Sequence, residues 1–326
     1  MWDSPDDDVH PRRDARLLVW CRHHGCSQVW SCAARLGERV IGTAQVCAVV
    51  VAYFPDSGFR ERLARVQRQV GALIVVDNTP EPVAEESLRE LGKRAPPILV
   101  ISNRGNVGLA TALNQGLGRA LAMGYRWILT LDQDTTCGDD MVATLVRVAA
   151  TCGMEPAVIG SNYSFGIRRR LFEAPPDGPG ECLECHTVIS SGSLIDAHFA
   201  KAIGGFRDEY FVDQIDHEFC LRVRSFGRRI VISRKPVMEH SVGDSQGAHS
   251  PLREYYIMRN AIALLRSYWR REPQWCAYHM ATLARHLCHM AMWHPQRLAK
   301  VRAIRAGAAD ALAGRMGSCQ RPWLNA

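Results

Sequence analysis

An apolar run, Trp127-Ile128-Leu129-Thr130-Leu131, closes on two carboxylates, Asp132-Gln133-Asp134. Side chains alternate along an extended chain, so Asp132 and Asp134 share one side and Gln133 points the other way. Two acids side by side repel unless a cation sits between them. Hard divalent ions such as Mg²⁺ or Mn²⁺ prefer carboxylate and diphosphate oxygen. Surface turns also produce Asp-x-Asp, so context decides. A second acidic stretch, Phe211-Val212-Asp213-Gln214-Ile215-Asp216-His217-Glu218, precedes a helix with Phe219, Val223 and Phe226 on one face. Asp216 stands just ahead of that helix, and Asp213 reads as a cap. His217 between the acids either perturbs Asp216 or faces solvent. His240 ends a short strand; such a histidine is usually structural, yet imidazole is also a metal ligand.

A parallel sheet is what would bring these acids to one edge. Residues 46–54 form a continuous apolar strand stopped by Pro55-Asp56, the pattern of a strand buried on both faces. Phe59, Leu63, Val66 and Val70 mark a helix closed by Gly71, and residues 72–76 form a strand that exits into Asp77-Asn78. A charged helix is expected near 85–93 and a strand over 98–101, leaving through Asn103-Arg104-Gly105-Asn106-Val107-Gly108. Leu109, Leu113, Leu117 and Leu121 then form one helical stripe. Asn106, Asn114 and Gly116 lie near its start, where small residues allow close approach and free amides favour phosphate; a tight loop plus cap is the alternative. The strand 125–131 delivers the acid pair to the carboxyl edge, where open α/β sheets bind ligands.

Beyond it the pattern predicts a helix over 140–150, a strand near 158–160, a loop over 172–180 and a strand over 187–195 interrupted by small residues. A helix from about 197 ends at Gly204-Gly205-Phe206, and 230–232 and 237–240 read as a short strand pair. No Gly-x-Gly-x-x-Gly or Gly-Lys-Ser/Thr loop is present, which argues against a dehydrogenase or P-loop enzyme.

Composition agrees with a globular protein: 326 residues, 47% hydrophobic, 22% charged. The net charge of +7 is concentrated after residue 244, where twelve Arg or Lys face three acids. Such a segment suits anionic lipid, diphosphate or nucleic acid, or is a solvated helical surface. The acidic opening is unlike a secretory signal and the apolar run at 41–55 is too short to span a bilayer, so a cytoplasmic protein is expected. Twelve cysteines then read as reduced thiols. Cys182-Leu183-Glu184-Cys185-His186 matches a haem-attachment pattern by chance, with no export signal or second ligand pair, and Cys21, His23, His24 and Cys26 make a weak metal candidate.

The ordered set of motifs resembles family 2 glycosyltransferases of the GT-A fold, in particular their bacterial rhamnosyltransferase-like branch. The matching segments are Val49-Val50-Val51-Ala52-Tyr53, Val76-Asp77-Asn78, Asn106-x-Gly108-Leu109-Ala110-x-Ala112-x-Asn114-x-Gly116, Leu131-Asp132-Gln133-Asp134, Ser191-Gly192-Ser193 and Gly204-Gly205-Phe206. They continue with Phe211-Val212-Asp213-x-x-Asp216-x-Glu218-x-x-Leu221-Arg222, His240 and Tyr255-Tyr256-x-x-Arg259-Asn260.

The resemblance implies an α/β chain with a mostly parallel central sheet flanked by helices and a C-terminal helical extension. Its divisions would be a poorly defined extension over 1–44, a catalytic domain over 45–244 and a basic helical region over 245–326. The catalytic domain would have a nucleotide-binding half, 45–135, and an acceptor half, 136–244. The implied activity is inverting sugar transfer from a nucleoside diphosphate, dTDP-L-rhamnose for preference, to a saccharide or polyprenyl-linked acceptor in cell-surface polysaccharide synthesis. Asp77 would bond the base, Asn106 and Asn114 would line the donor pocket, and Asp132 would lie against ribose and metal. Asp134 and His240 would hold Mg²⁺ or Mn²⁺, Arg259 would approach the phosphates, and Asp216 would be the general base. No nucleic-acid partner is expected. The helices over 264–293, rich in Trp, Tyr, Met and His, could rest on the inner face of the membrane or equally form a packing pair or dimer contact. The competing readings are a nucleotidyltransferase and a non-catalytic nucleotide-sugar-binding scaffold.

Overall fold

The first strand, β1 (Val46–Ala52), is buried at every residue because it is apolar on both faces. Cys47, Val49 and Val51 face one apolar layer, and Val46, Ala48, Val50 and Ala52 face the other. The computed structural model describes residues 42–81, 92–93, 96–165, 171–172, 174, 176–239, 250–293 and 296–324. The expected helix near 85–93, apart from its last two residues, the metal candidate at Cys21 to Cys26 and His240 lie outside them.

Parallel partners flank β1: β2 (Ala72–Asp77) on one side and β4 (Trp127–Asp132) on the other, with β3 (Ile98–Ser102) beyond β2. Helices α1 (Phe59–Gln67) and α3 (Met141–Thr151) cover one face through Phe59, Leu63, Met141 and Leu145. Helix α2 (Leu109–Ala122) covers the other through Leu113 and Leu117. It comes so close that a Cβ on Gly116 would overlap Val49.

The sheet continues in mixed fashion, in the order β3-β2-β1-β4-β9-β6-β10-β5. Strand β9 (Ser193–Asp196) runs antiparallel to both β4 and β6 (Pro156–Phe165). The predicted strand over 187–195 is therefore ordered as strand only from Ser193, because Gly192 takes a φ of +78° and turns the chain. The predicted pair at 230–232 and 237–240 is instead one strand, β10 (Arg229–Glu239), parallel to β6. Pro236 removes a backbone donor there, and the register shifts on both sides of it. The short strands β5 (Thr136–Cys137) and β8 (Cys182–Glu184) pair with β10, and β7 (Leu171–Phe172) pairs with β6.

Two helices follow β9, α4 (Ala197–Ala202) and α5 (Ile215–Ser225). Three more follow β10 among the described residues: α6 (Pro251–Tyr268), α7 (Pro273–Trp293) and α8 (Arg297–Leu312). Ser250 caps α6 by accepting from the Arg253 amide, and Pro251 occupies the first turn. Helix α8 lies so close to α6 that a Cβ on Gly307 would overlap the Tyr255 carbonyl. Residues Ile41–Ala326 form one compact unit.

Asp310 ties α8 to its surroundings. It accepts from Tyr255 Oη at 2.9 Å and pairs with Arg315 at 2.6 Å and Arg321 at 2.7 Å, with only 6% of its side chain exposed. Bonds from Arg321, Arg315 and Tyr255 hold its carboxyl well below the usual carboxylate range. A depressed carboxylate stabilises above its unfolded value near ~3.9 and loses that contribution as pH falls towards its folded value. Asp310→Asn should therefore cost about 2 kcal/mol at neutral pH. Denaturant unfolding should show the difference shrinking below about pH 4, whereas a pH-independent difference would contradict this account.

Candidate active site

The acid pair sits on a turn fastened from both sides. At the end of β4 the Asp132 carbonyl accepts from the Thr135 amide at 3.3 Å. Gln133 does point away from the acids, and its amide grips the exit of β1. Oε1 accepts from the Tyr53 N–H at 2.7 Å and Nε2 donates to the Tyr53 carbonyl at 3.0 Å. Arg62 Nε on α1 donates to the Gln133 carbonyl at 2.7 Å. Across the turn, Ser191 Oγ accepts from the Asp132 amide at 3.0 Å and shares a 2.6 Å hydrogen bond with Thr135 Oγ1. Gly192 presses close behind, since a Cβ there would meet Met238 Sδ at 2.5 Å. The small residues that interrupt the 187–195 pattern thus hold the acid turn in place.

Asp216 arrives from a strained segment. Phe211, Asp213 and Gln214 all have positive φ, at 63°, 57° and 63°, in the four residues before α5. Such conformations cost about 1–3 kcal/mol each for non-glycine residues and persist only where neighbours enforce them. One side chain on α6 does so: Asn260 Nδ2 donates to the carbonyls of Tyr210 at 2.9 Å, Val212 at 2.7 Å and Asp213 at 2.9 Å. The Phe211 ring stacks on Tyr256 and lies against Gly108, whose φ of +89° and absent Cβ make room for it. Asp213, expected to cap the helix, does not. Gln214 occupies that position, and Asp213 Oδ1 accepts from Arg253 Nε at 3.3 Å, because the left-handed run turns the acid towards α6.

Charge brings the acids together. Burial pushes the Asp132 carboxyl up to about 7; the charges of Asp134 and Asp216 add to the rise and Arg253 opposes it. Burial likewise raises Asp213, against Arg253. The carboxylates from β4 and α5 thus feel one another, and Arg253 is the cation that faces Asp132 and Asp213. A divalent cation suits this donor set, because it would favour the charged form that burial and neighbouring acids penalise. Among the described residues no three His, Cys, Asp or Glu groups converge as a complete cage. The fit is therefore to a half-site, with ligands still to come from elsewhere.

Beside Asp216, whose Oδ1 accepts from the His217 amide at 2.8 Å, an aromatic group closes the site. The His217 ring does not face solvent; it packs edge-on against Trp275 at 5.4 Å and His279 at 5.6 Å, and the latter two stack at 4.6 Å. Burial, with His217 nearby, pushes His279 down to about 4, so the His279 ring is neutral at physiological pH.

Residues 47–175 match the family model described as Glycosyl transferase family 2. The chain is also 26% identical to the dTDP-rhamnosyl transferase RfbF of Shigella flexneri over 250 residues, covering 68% of this chain and 80% of that protein. Residues 47–175 are thus a family 2 glycosyltransferase domain. A second relative of this glycosyltransferase, the galactofuranosyltransferase GlfT1 of Mycolicibacterium smegmatis, is 31% identical over 183 residues, covering 50% of this chain and 59% of the relative. Among solved structures, GalNAc-T7 with UDP, GalNAc and Mn²⁺ aligns with a TM-score of 0.55 at 10% identity, over 85% of this chain and 58% of its own. TarS of S. aureus in complex with UDP-GlcNAc aligns at 0.51 and 14% identity, over 83% and 92%. At such identities these likenesses carry the fold, which is of the GT-A type.

Within the glycosyltransferase, the other expected site residues fall in different surroundings. Asp77 ends β2 almost fully buried, and its Oδ1 accepts from the Thr79 amide at 2.9 Å. Asn106 is exposed and accepts from the Gly108 amide at 2.9 Å. Asn114 bonds the Phe206 backbone in both directions, at 2.7 and 2.8 Å, and Asp208 at 2.8 Å, so it fastens α2 to the Gly204-Gly205-Phe206 turn. The start of α2 is read from sequence either as a phosphate site or as a tight loop plus cap. The first amides there, of Leu109 and Ala110, instead reach the Phe211 carbonyl at 2.6 and 3.4 Å. Arg259 is fully buried and bonds carbonyls of Tyr210 and Gly317, which leaves it no route to phosphate in this arrangement. His240 lies outside the described residues. Sequence reasoning assigned no role to Arg253, Asn260 or Ser191. Only the Tyr255-Tyr256-x-x-Arg259-Asn260 and Ser191-Gly192-Ser193 motifs pointed towards them.

Proposed function

We propose that this glycosyltransferase inverts the anomeric centre while moving a sugar from a nucleoside diphosphate to an acceptor hydroxyl. The donor is dTDP-L-rhamnose, and the acceptor is a saccharide or polyprenyl-linked saccharide of a cell-surface polysaccharide. The observation that carries this reading is the acid turn Asp132-Gln133-Asp134 at the end of β4, fastened by Ser191 and Arg62, with Asp216 on α5 near enough for its charge to raise Asp132. Similarity to a dTDP-rhamnosyl transferase over 80% of that protein supports the choice of donor.

In this reading Asp132, Asp134 and His240 hold Mg²⁺ or Mn²⁺, which when bound supplies Lewis-acid neutralisation of the departing diphosphate. Asp77, at the end of β2 on the far side of β1, receives the base. Asp216 accepts the proton of the acceptor hydroxyl as that oxygen attacks the anomeric carbon. Single displacement needs base and leaving group on opposite sides of that carbon, and acids carried by different elements permit this. No covalent nucleophile takes part.

The reading is tested with a donor panel of dTDP-rhamnose, UDP-galactofuranose, UDP-glucose and GDP-mannose, each with Mn²⁺, Mg²⁺ or chelator, measuring release of nucleoside diphosphate. Turnover of dTDP-rhamnose should require the metal and vanish in Asp134→Ala. Turnover of another donor alone would replace the sugar assignment, and full activity in chelator would remove the metal from it.

A further inference from the structure

A helix on the surface of a protein in water normally turns polar residues outward. Helix α7 does not. Residues 274, 278, 281, 285, 288 and 292, spaced four and three apart, form one stripe down its side, and all are exposed. The stripe reads Gln274, Tyr278, Ala281, Arg285, Cys288 and Met292, with a single charge in five turns. Tyr278 is 71% exposed and Met292 59%. The next helix also exposes large apolar side chains, Leu298 at 82% and Leu312 at 69%. Between residues 273 and 309 the sequence contains no Asp or Glu, and the exposed charges there are Arg285, Arg297, Arg302 and Arg305. Lys300 is buried against Glu254 and adds nothing to this surface.

We infer that the exposed face of α7 and α8 docks onto the surface of an anionic lipid bilayer. Apolar side chains enter the headgroup boundary while arginines meet lipid phosphate, the composition that seats interfacial helices. Among the described residues no helix is long and apolar enough to cross a membrane, so the contact is peripheral. The alternative occupant, a second copy meeting the same face about a two-fold axis, would set arginine against arginine with no acid in the segment to pair them. A nucleic-acid backbone would leave Tyr278, Met292 and Leu298 uncovered. Docking here would give the enzyme access to an acceptor carried on a lipid, and the inference itself does not depend on which sugar is transferred.

The test uses the full chain without donor or acceptor, floated with vesicles of phosphatidylcholine alone or with about one-third phosphatidylglycerol. Expected is co-flotation with the anionic vesicles and weak binding to the neutral ones. Replacing Arg285, Arg297 and Arg305 by Gln should weaken partitioning about 10²-fold, and Tyr278→Ser with Met292→Ser should weaken it independently of salt. Nucleoside diphosphate release by these variants, measured in detergent-free buffer, should match the parent and shows that they fold. Failure to float with anionic vesicles would overturn the proposal, as would equal binding to both compositions. A dimer by light scattering that Met292→Ser or Leu298→Ser disperses would assign the face to self-association instead.

Discussion

Asp216→Asn should lower turnover by about 10²- to 10⁴-fold while leaving metal-dependent donor affinity within a small factor of the parent. The amide keeps the size of the carboxylate and can still accept from the His217 amide, so the start of α5 is not disturbed. What it cannot do is take a proton from the acceptor hydroxyl. Removing a charge that helps to raise Asp132 should also ease ionisation of that group, so donor binding should fall less steeply towards acid in the variant than in the parent. Isothermal titration with donor and Mn²⁺, beside a transfer assay, separates the two effects. Loss of donor affinity equal to the loss of turnover would place Asp216 in the donor site. Unchanged turnover would remove the base from the mechanism, and a binding scaffold would then become the better description.

A second large effect is expected from Arg259→Met, and it should appear as stability. The guanidinium is fully buried and donates to Asn260 Oδ1 at 2.9 Å and to the carbonyls of Gly317 at 2.5 Å, Tyr210 at 3.1 Å and Glu209 at 3.4 Å. It also lies over the rings of Tyr255 and Tyr256, at 5.4 and 4.8 Å. Methionine fills much of the volume but satisfies none of these acceptors, and each buried one left without a donor costs about 1–3 kcal/mol. Because Tyr210 keeps its bond from Asn260 and Glu209 keeps its bond from the Gly317 amide, two acceptors lose their donor and the expected loss is at least about 2 kcal/mol. Arg259→Lys should recover little of it, since one ammonium cannot reproduce the planar fork. Denaturant unfolding measures this directly. If the variant unfolds with the parent yet binds donor more weakly, Arg259 reaches the diphosphate and its buried position here is not the one that works.

The parallel half of the sheet was legible because its strands are mostly apolar and two of them end in a polar pair, Asp77-Asn78 and Asp132-Gln133. Helix α2 was legible from its leucine stripe. What escaped depends on partners far along the chain. Asn260 enforces the strained segment from some fifty residues away, and nothing local to Phe211 or Asp213 announces a left-handed backbone. Asp213 follows the local rule for a cap, and Arg253 on another helix overrides it. Arg259 was assigned to phosphate through the family resemblance alone, and no local feature announces the carbonyls of Tyr210 and Gly317 that it bonds. Pro236 made one strand look like two, since a missing donor breaks the pattern of a ladder without ending it.

The bonds made by Gly317 and Cys319 bear on timing. Gly317 takes a bond from Arg259 and gives one to the Glu209 carbonyl at 2.7 Å, while the Cys319 amide reaches Tyr256 Oη at 2.7 Å. Glu209, Arg259 and Tyr256 surround the segment that presents Asp216. On the ribosome the sheet and the acid turn can assemble as soon as their strands emerge, but this brace cannot close until the residues around 317–319 have left the exit tunnel. The sheet can therefore form before the segment that presents Asp216 is braced.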